Sequence, residues 1–168
     1  HDAGDAGAST LMAELGINYD LDKPGRDWAF DLNELARNRV RLVRFPLRWS
    51  TAVEVFCVLA QQRRIKTLAV VDRTALVVKG VNAQGSFEEA ARAWRPRLVS
   101  ELDALQVGNE EDHSSPSSWT LSQAEFGRLL RAFDRERPRA ELRLVAGGAV
   151  SGQPDWFRGL DLGPYALA

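Results

Sequence analysis

The run from Leu98 to Val107 alternates apolar residues and leads into Asn109, followed by a knot of ionisable side chains, Glu110, Glu111, Asp112 and His113. Acids at the end of a buried strand are either working carboxylates or the solvated face of a loop, and spacing alone leaves both readings open. Glu110 and His113 also stand in a Glu-x-x-His spacing, which on a helix presents two metal ligands. The stretch from Glu110 to Trp119 is rich in Ser and contains Pro116, so it reads as turn rather than helix, and the only other histidine is His1, read as a surface residue. No metal site and no cofactor are therefore expected.

Other residues able to do chemistry punctuate the chain at comparable places: Asn18, Tyr19, Asp20 and Asp22; Arg44, Arg48 and Trp49; Asp72; Gly147 and Gly148. Each group follows a short apolar, β-branched run. Residues 15–20, 40–45, 67–72, 103–109 and 142–148 read as strands buried on both faces, with 160–165 as a weaker sixth.

Helical patterns fill the intervals. Trp28, Leu32, Leu35 and Ala36 line one face behind Asp27 as N-cap, and Thr51 with Glu54 has capping-box spacing ahead of residues 53–62. Ser86 with Glu89 repeats that signal. Phe126, Leu129, Leu130 and Phe133 stripe a helix that begins after Thr120 and ends before Pro138. Alternating strand and helix implies parallel strands with right-handed crossovers, in a doubly wound open sheet or a (β/α) barrel. The segment after the first strand, residues 16–28, has neither a dinucleotide fingerprint nor a Walker spacing, which weakens the open nucleotide-binding alternative. In a barrel, chemistry sits where strands end and βα loops begin, which is where the residues named above lie.

Composition narrows the partners. The 168 residues are 45% apolar, enough for one domain with a real core, and 22 Lys and Arg nearly cancel 23 Asp and Glu. Neither nucleic acid nor an anionic membrane is called for, and the basic run from Arg131 to Arg143 alternates with acids as a solvated helix end does. No apolar stretch reaches the roughly 18 residues of a membrane span. Residues 1–13 are expected to be a flexible leader and 14–168 a single barrel-like domain. Cys57, the one cysteine, lies in an apolar run and is expected to be a core thiol. Trp28 and Trp94 are expected to be core as well.

In their order, the first strand with Asn18-Tyr19-Asp20, the second ending Val43-Arg44-Phe45-Pro46-Leu47-Arg48-Trp49, the fourth ending Gly108-Asn109-Glu110 and the fifth ending Gly147-Gly148 resemble the retaining glycoside hydrolases of clan A, which are TIM barrels. The resemblance covers roughly residues 14 to 165, and its most specific element is the Asn109-Glu110 pair. It implies Glu110 as general acid/base, Asn109 bonding the sugar 2-hydroxyl, Arg44 supporting the nucleophile, and Tyr165 as a Tyr found near the end of strand six. The residue types suit that chemistry, since an acid must protonate the leaving oxygen and the 2-hydroxyl contact strengthens as the sugar flattens. Trp49 and Trp119 are candidate faces for sugar stacking. Arg44 has a second reading, as a structural cation neutralising Asp20 or Glu110.

Departures bear on mechanism. Glu111 stands where the clan often has Pro, and Gly163 where a His commonly precedes the strand-six Tyr. The clan's nucleophile ends strand seven, before which this sequence is expected to stop, and retention needs a second carboxylate roughly 5 to 5.5 Å from the first. Adjacent Glu111 leaves the strand in another direction, and the resemblance gives no such role to Asp20 or Asp72. The chain is expected to need a second chain or a C-terminal segment to complete the barrel. The alternative is a non-catalytic carbohydrate-binding or interaction module on an incomplete barrel. A working Glu110 also needs a raised pKa, towards which Glu111 and Asp112 push while Arg44 pulls back.

Overall fold

The computed structural model describes residues 15–76, 86–109, 121–147, 160 and 165–167. The expected leader lies outside them. Among the described residues six strands form one sheet: β1 (Leu15–Asn18), β2 (Val40–Pro46), β3 (Lys66–Val71), β4 (Ala104–Val107), β5 (Arg143–Ala146) and β6 (Ala166–Leu167). Every adjacent pair is parallel and the spatial order follows the chain order, β1 to β6. That order separates the two architectures the sequence allows. A doubly wound sheet reverses direction at a switch point, whereas right-handed crossovers that always step the same way put every helix on one face.

The helices are α1 (Trp28–Arg37), α2 (Val53–Gln62), α3 (Arg73–Leu76), α4 (Phe87–Trp94) and α5 (Gln123–Arg135). Asp27 caps α1 by accepting from the Phe30 amide at 3.0 Å, Ser86 accepts from Glu89 at the start of α4, and Ser122 with Glu125 forms a full capping box on α5. The Thr51–Glu54 box expected for α2 does not form: Ala52 is the N-cap and makes no side-chain cap bond. Tertiary partners outcompete it, because the Thr51 hydroxyl donates to Asp22 and the Glu54 carboxylate pairs with Arg97 at 2.7 Å. Behind α1 and α2, Arg39 and Arg64 take positive φ of 60° and 57°, the turn that glycine usually makes, so the sequence carries no glycine stop signal there.

Strand alternation divides the side chains into two sets. Val43, Phe45, Ala69, Val71, Leu105, Val107, Leu144 and Ala146 join the helices in one buried core. The centre of that core is Phe56 of α2, with ring centroids 5.3 Å from Tyr19, 5.7 Å from Trp28 and 5.2 Å from Phe45. The interleaved residues, among them Leu42, Arg44, Leu68, Val70, Ala104, Gln106 and Val145, look the other way, onto the face a barrel encloses. Of the expected sixth strand, 160–165, only 160 and 165 lie among the described residues, and the sixth strand is described at Ala166–Leu167. Cys57 is fully buried beside Phe56, and burial pushes its thiol up to about 12, as expected of a core thiol. Trp94 is fully buried and Trp28 packs partly buried against the same core.

Because Phe56 holds three aromatic neighbours, Phe56→Ala is expected to lower stability by about 3–5 kcal/mol in urea unfolding, the usual range for emptying a buried aromatic site. A loss below about 1 kcal/mol would show that the rings do not depend on it.

Candidate functional site: an arginine among amides at the strand ends

Arg44 lies near the C-terminal end of β2 between Val43 and Phe45, both turned to the helices, so its side chain extends over the opposite face of the sheet. Its Nε donates to Gln106 Oε1 at 3.0 Å, one Nη donates to Asn18 Oδ1 at 3.1 Å, and the other donates to Asn109 Oδ1 at 2.7 Å. Asn18 is the direct register partner of Arg44 on β1, while Gln106 lies two strands away on β4, beyond β3. Neighbouring strands are about 4.8 Å apart, so only a side chain as long as arginine bridges β2 to β4. A guanidinium donates and never accepts, which suits three amide oxygens.

The end of β4 is built around close backbone approach. Gly108 has φ of 86°, a region that favours glycine, and its amide donates to the Val71 carbonyl at 2.9 Å. Gly147 continues β5, donating to the Val107 carbonyl at 2.9 Å, and a Cβ on it would sit 2.2 Å from the Gly108 oxygen. Any side chain at 147 therefore displaces the peptide that leads to Asn109. Asp72, at the end of β3, accepts from Arg48 and from the Ala75 amide, both at 3.0 Å, and so caps α3 while holding the β2α2 loop.

No protein-family model matches the chain, and no curated protein sequence does. Solved structures do resemble it. An endo-laminarinase from Formosa superposes with a TM-score of 0.58 at 12% identity, over 92% of this chain and 49% of its own. The Pseudomonas stutzeri endoglucanase Cel5A in complex with cellobiose gives 0.57 at 14% identity, over 90% and 55%. FabK from Thermotoga maritima gives 0.50 at 16% identity, over 92% and 42%. The fold is that of an incomplete α/β barrel. The chain spans about half the length of these solved chains, and at such identities the likeness is one of fold, which does not by itself carry an activity.

Seen as a barrel, the amide cluster occupies the C-terminal ends of its strands, where barrel enzymes carry their chemistry. The structure brings together Asn18, Arg44 and Asn109 from the residues singled out in the sequence. It adds Gln106, which sequence reasoning treated only as part of a strand. The signal was there: Gln106 is a polar residue at an inner-facing position of an otherwise apolar strand, and it is only 2% exposed. Glu110 and Trp119 lie outside the described residues, as do Glu111, Asp112, His113, Gly148 and Gly163.

Trp49 and Tyr165 are directed elsewhere. Trp49 packs edge-on to Trp94 of α4 at 5.0 Å, with the Arg97 guanidinium 5.0 Å from its ring centroid, and its carbonyl accepts from Arg97. The same arginine holds the Glu54 carboxyl below its usual range. Tyr165 directly precedes β6, and its hydroxyl donates to Asp134 of α5 at 3.1 Å. Among the described residues no group of three His, Cys, Asp or Glu is arranged to hold a metal, and no helix is long and apolar enough to cross a membrane.

Two expectations follow from this geometry. Gly147→Ala should cost about 1–3 kcal/mol, since the Gly108 peptide must move, and should shift the amide resonances of Gly108 and Asn109; unchanged resonances would contradict the close approach. The second concerns both tyrosines of the sequence. Burial, then the hydrogen bond to Asp31, pushes Tyr19 up to about 12, and burial, then the charge of Asp134, raises Tyr165. A raised folded value means that the associated stability is present below the unfolded value near 10 and is lost as pH climbs through the folded one. Alkaline titration followed by tyrosinate absorbance should therefore show native ionisation displaced above the titration in urea; a native curve that overlays the urea curve would remove the burial argument.

Proposed function

We propose that this chain is part of a glycoside hydrolase that binds carbohydrate at the C-terminal ends of its barrel strands. The observation that carries the reading is the Arg44 cluster: a barrel mouth where an arginine fixes Asn109, the residue immediately before Glu110, by a 2.7 Å bond. In this reading Glu110 is the general acid/base of a retaining clan A mechanism. It protonates the leaving oxygen as the glycosidic bond breaks, and later takes a proton from the attacking water. Asn109 bonds a sugar hydroxyl next to the reacting carbon, and Arg44 orients Asn109 through its amide oxygen. Trp119 is the proposed stacking surface, while Trp49 packs against Trp94 of α4 and Tyr165 bonds Asp134 of α5. The nucleophilic carboxylate is assigned to no residue of this sequence, so hydrolysis belongs to a barrel completed by a C-terminal segment or by a second chain. The endoglucanase in complex with cellobiose and the endo-laminarinase support β-linked glucans as the first ligands to try.

Calorimetric titration with cellobiose and laminari-oligosaccharides tests the reading. The wild-type chain should bind one of them, and Arg44→Leu should weaken binding by about tenfold or more, equivalent to about 1.4 kcal/mol. Absence of binding by the folded wild-type chain, or equal binding by Arg44→Leu, would rule out the site. If a completed barrel cleaves aryl glycosides, Glu110→Gln should slow it by about 10²–10⁴-fold, and undiminished turnover would remove Glu110 from the acid role.

A further inference from the structure

Gln106 makes two hydrogen bonds whose directions are chemically forced. Its Oε1 accepts from Arg44 Nε, which can only donate, and its Nε2 donates at 2.9 Å to the Gly108 carbonyl, which can only accept. Gly108 is followed by Asn109, whose Oδ1 accepts from the same guanidinium. The contacts close a ring: Arg44 to Gln106, Gln106 to the Gly108 carbonyl, along the backbone to Asn109, and back to Arg44. Each amide in the ring has one permitted orientation, because reversing either would set NH2 against a guanidinium. Gly147 of the β5 end approaches the Gly108 carbonyl so closely that a Cβ on it would collide with that peptide.

From this ring we infer that Gln106 is a positioning residue, holding Arg44 and the Gly108–Asn109 turn in a single arrangement so that Asn109 presents one fixed amide face at the mouth of the barrel. The inference rests on the functional reading above for what that face contacts, but the ring itself does not. Gln106 touches no substrate. It is buried, and acts through the two groups it bridges. Leucine has nearly the same bulk but neither bond, so it releases Arg44 Nε and the Gly108 carbonyl together. Glutamate is more informative. When protonated it reproduces glutamine, with one oxygen accepting from Arg44 and the hydroxyl donating to Gly108; when ionised it keeps Arg44 but faces the carbonyl without a proton.

The test is nuclear magnetic resonance on the full isotope-labelled chain without ligand, reading the Arg44 Nε–H signal and the Asn109 side-chain amide in wild type, Gln106→Leu and Gln106→Glu, with thermal unfolding as the check on folding. In Gln106→Leu, the Arg44 Nε–H should exchange about tenfold faster and the Asn109 amide should shift. In Gln106→Glu, the Arg44 signal should persist, and the Asn109 amide should return to its wild-type position as the new carboxyl is protonated. That pH-driven recovery is a response a purely space-filling residue does not give. A folded Gln106→Leu with both signals unmoved would overturn the inference, and if that variant does not fold, so would a Gln106→Glu whose Asn109 amide is indifferent to pH. Both signals are read without sugar, so a chain that fails to bind cellobiose yet shows this coupling loses the functional reading and keeps the positioning role.

Discussion

Each strand of this sheet runs parallel to the last and is added on the same side, and that one constraint fixes where everything else stands. Parallel neighbours need a crossover, right-handed crossovers taken repeatedly in one direction leave all helices on one face, and all strand C-termini then emerge at one end. The helix face becomes the core, centred on Phe56 with Tyr19, Trp28 and Phe45 around it. The other face is left for the side chains that alternate with that core. Arg44 is on it because Val43 and Phe45 are not.

On that inner face, apolar Leu68, Val70 and Ala104 set the surroundings in which polar groups must find partners. A guanidinium there costs free energy unless its donors are met, and amide oxygens meet three of them without adding charge. Asn18, Gln106 and Asn109 come from two different strands and a turn, and one side chain reaches all three. A recess of about 380 Å³ on this face lies toward the strand N-termini between Lys66 and Arg143, the end where barrels keep stability rather than chemistry. The strand C-termini are instead marked by their hydrogen-bond donors and acceptors.

Much of this was legible in the sequence. Strand positions followed from apolar β-branched runs, helix starts from Asp27, Ser86 and the break at Thr120, and strand–helix alternation narrowed the fold to an open sheet or a barrel. What escaped had tertiary causes. Thr51 gave up its cap to bond Asp22, and α1 and α2 stop on arginines at positive φ rather than on glycine. Trp49 is drawn to Trp94 by an arginine 48 residues away, which no local pattern contains. Gln106 was visible as an anomaly, a buried amide among Leu105 and Val107, but its meaning depends on Arg44 arriving from β2.

In the proposed function the ends of β1, β2 and β4 form one carbohydrate-binding mouth organised by Arg44. Mapping backbone amide shifts while cellobiose is titrated into the labelled chain tests it most directly. The largest changes are expected at Asn18, Arg44, Gln106, Gly108 and Asn109, with residues at the strand N-termini such as Lys66 and Arg143 unmoved. Saturable changes centred on Lys66, Asp103 and Arg143 instead, or no changes at all, would contradict the account.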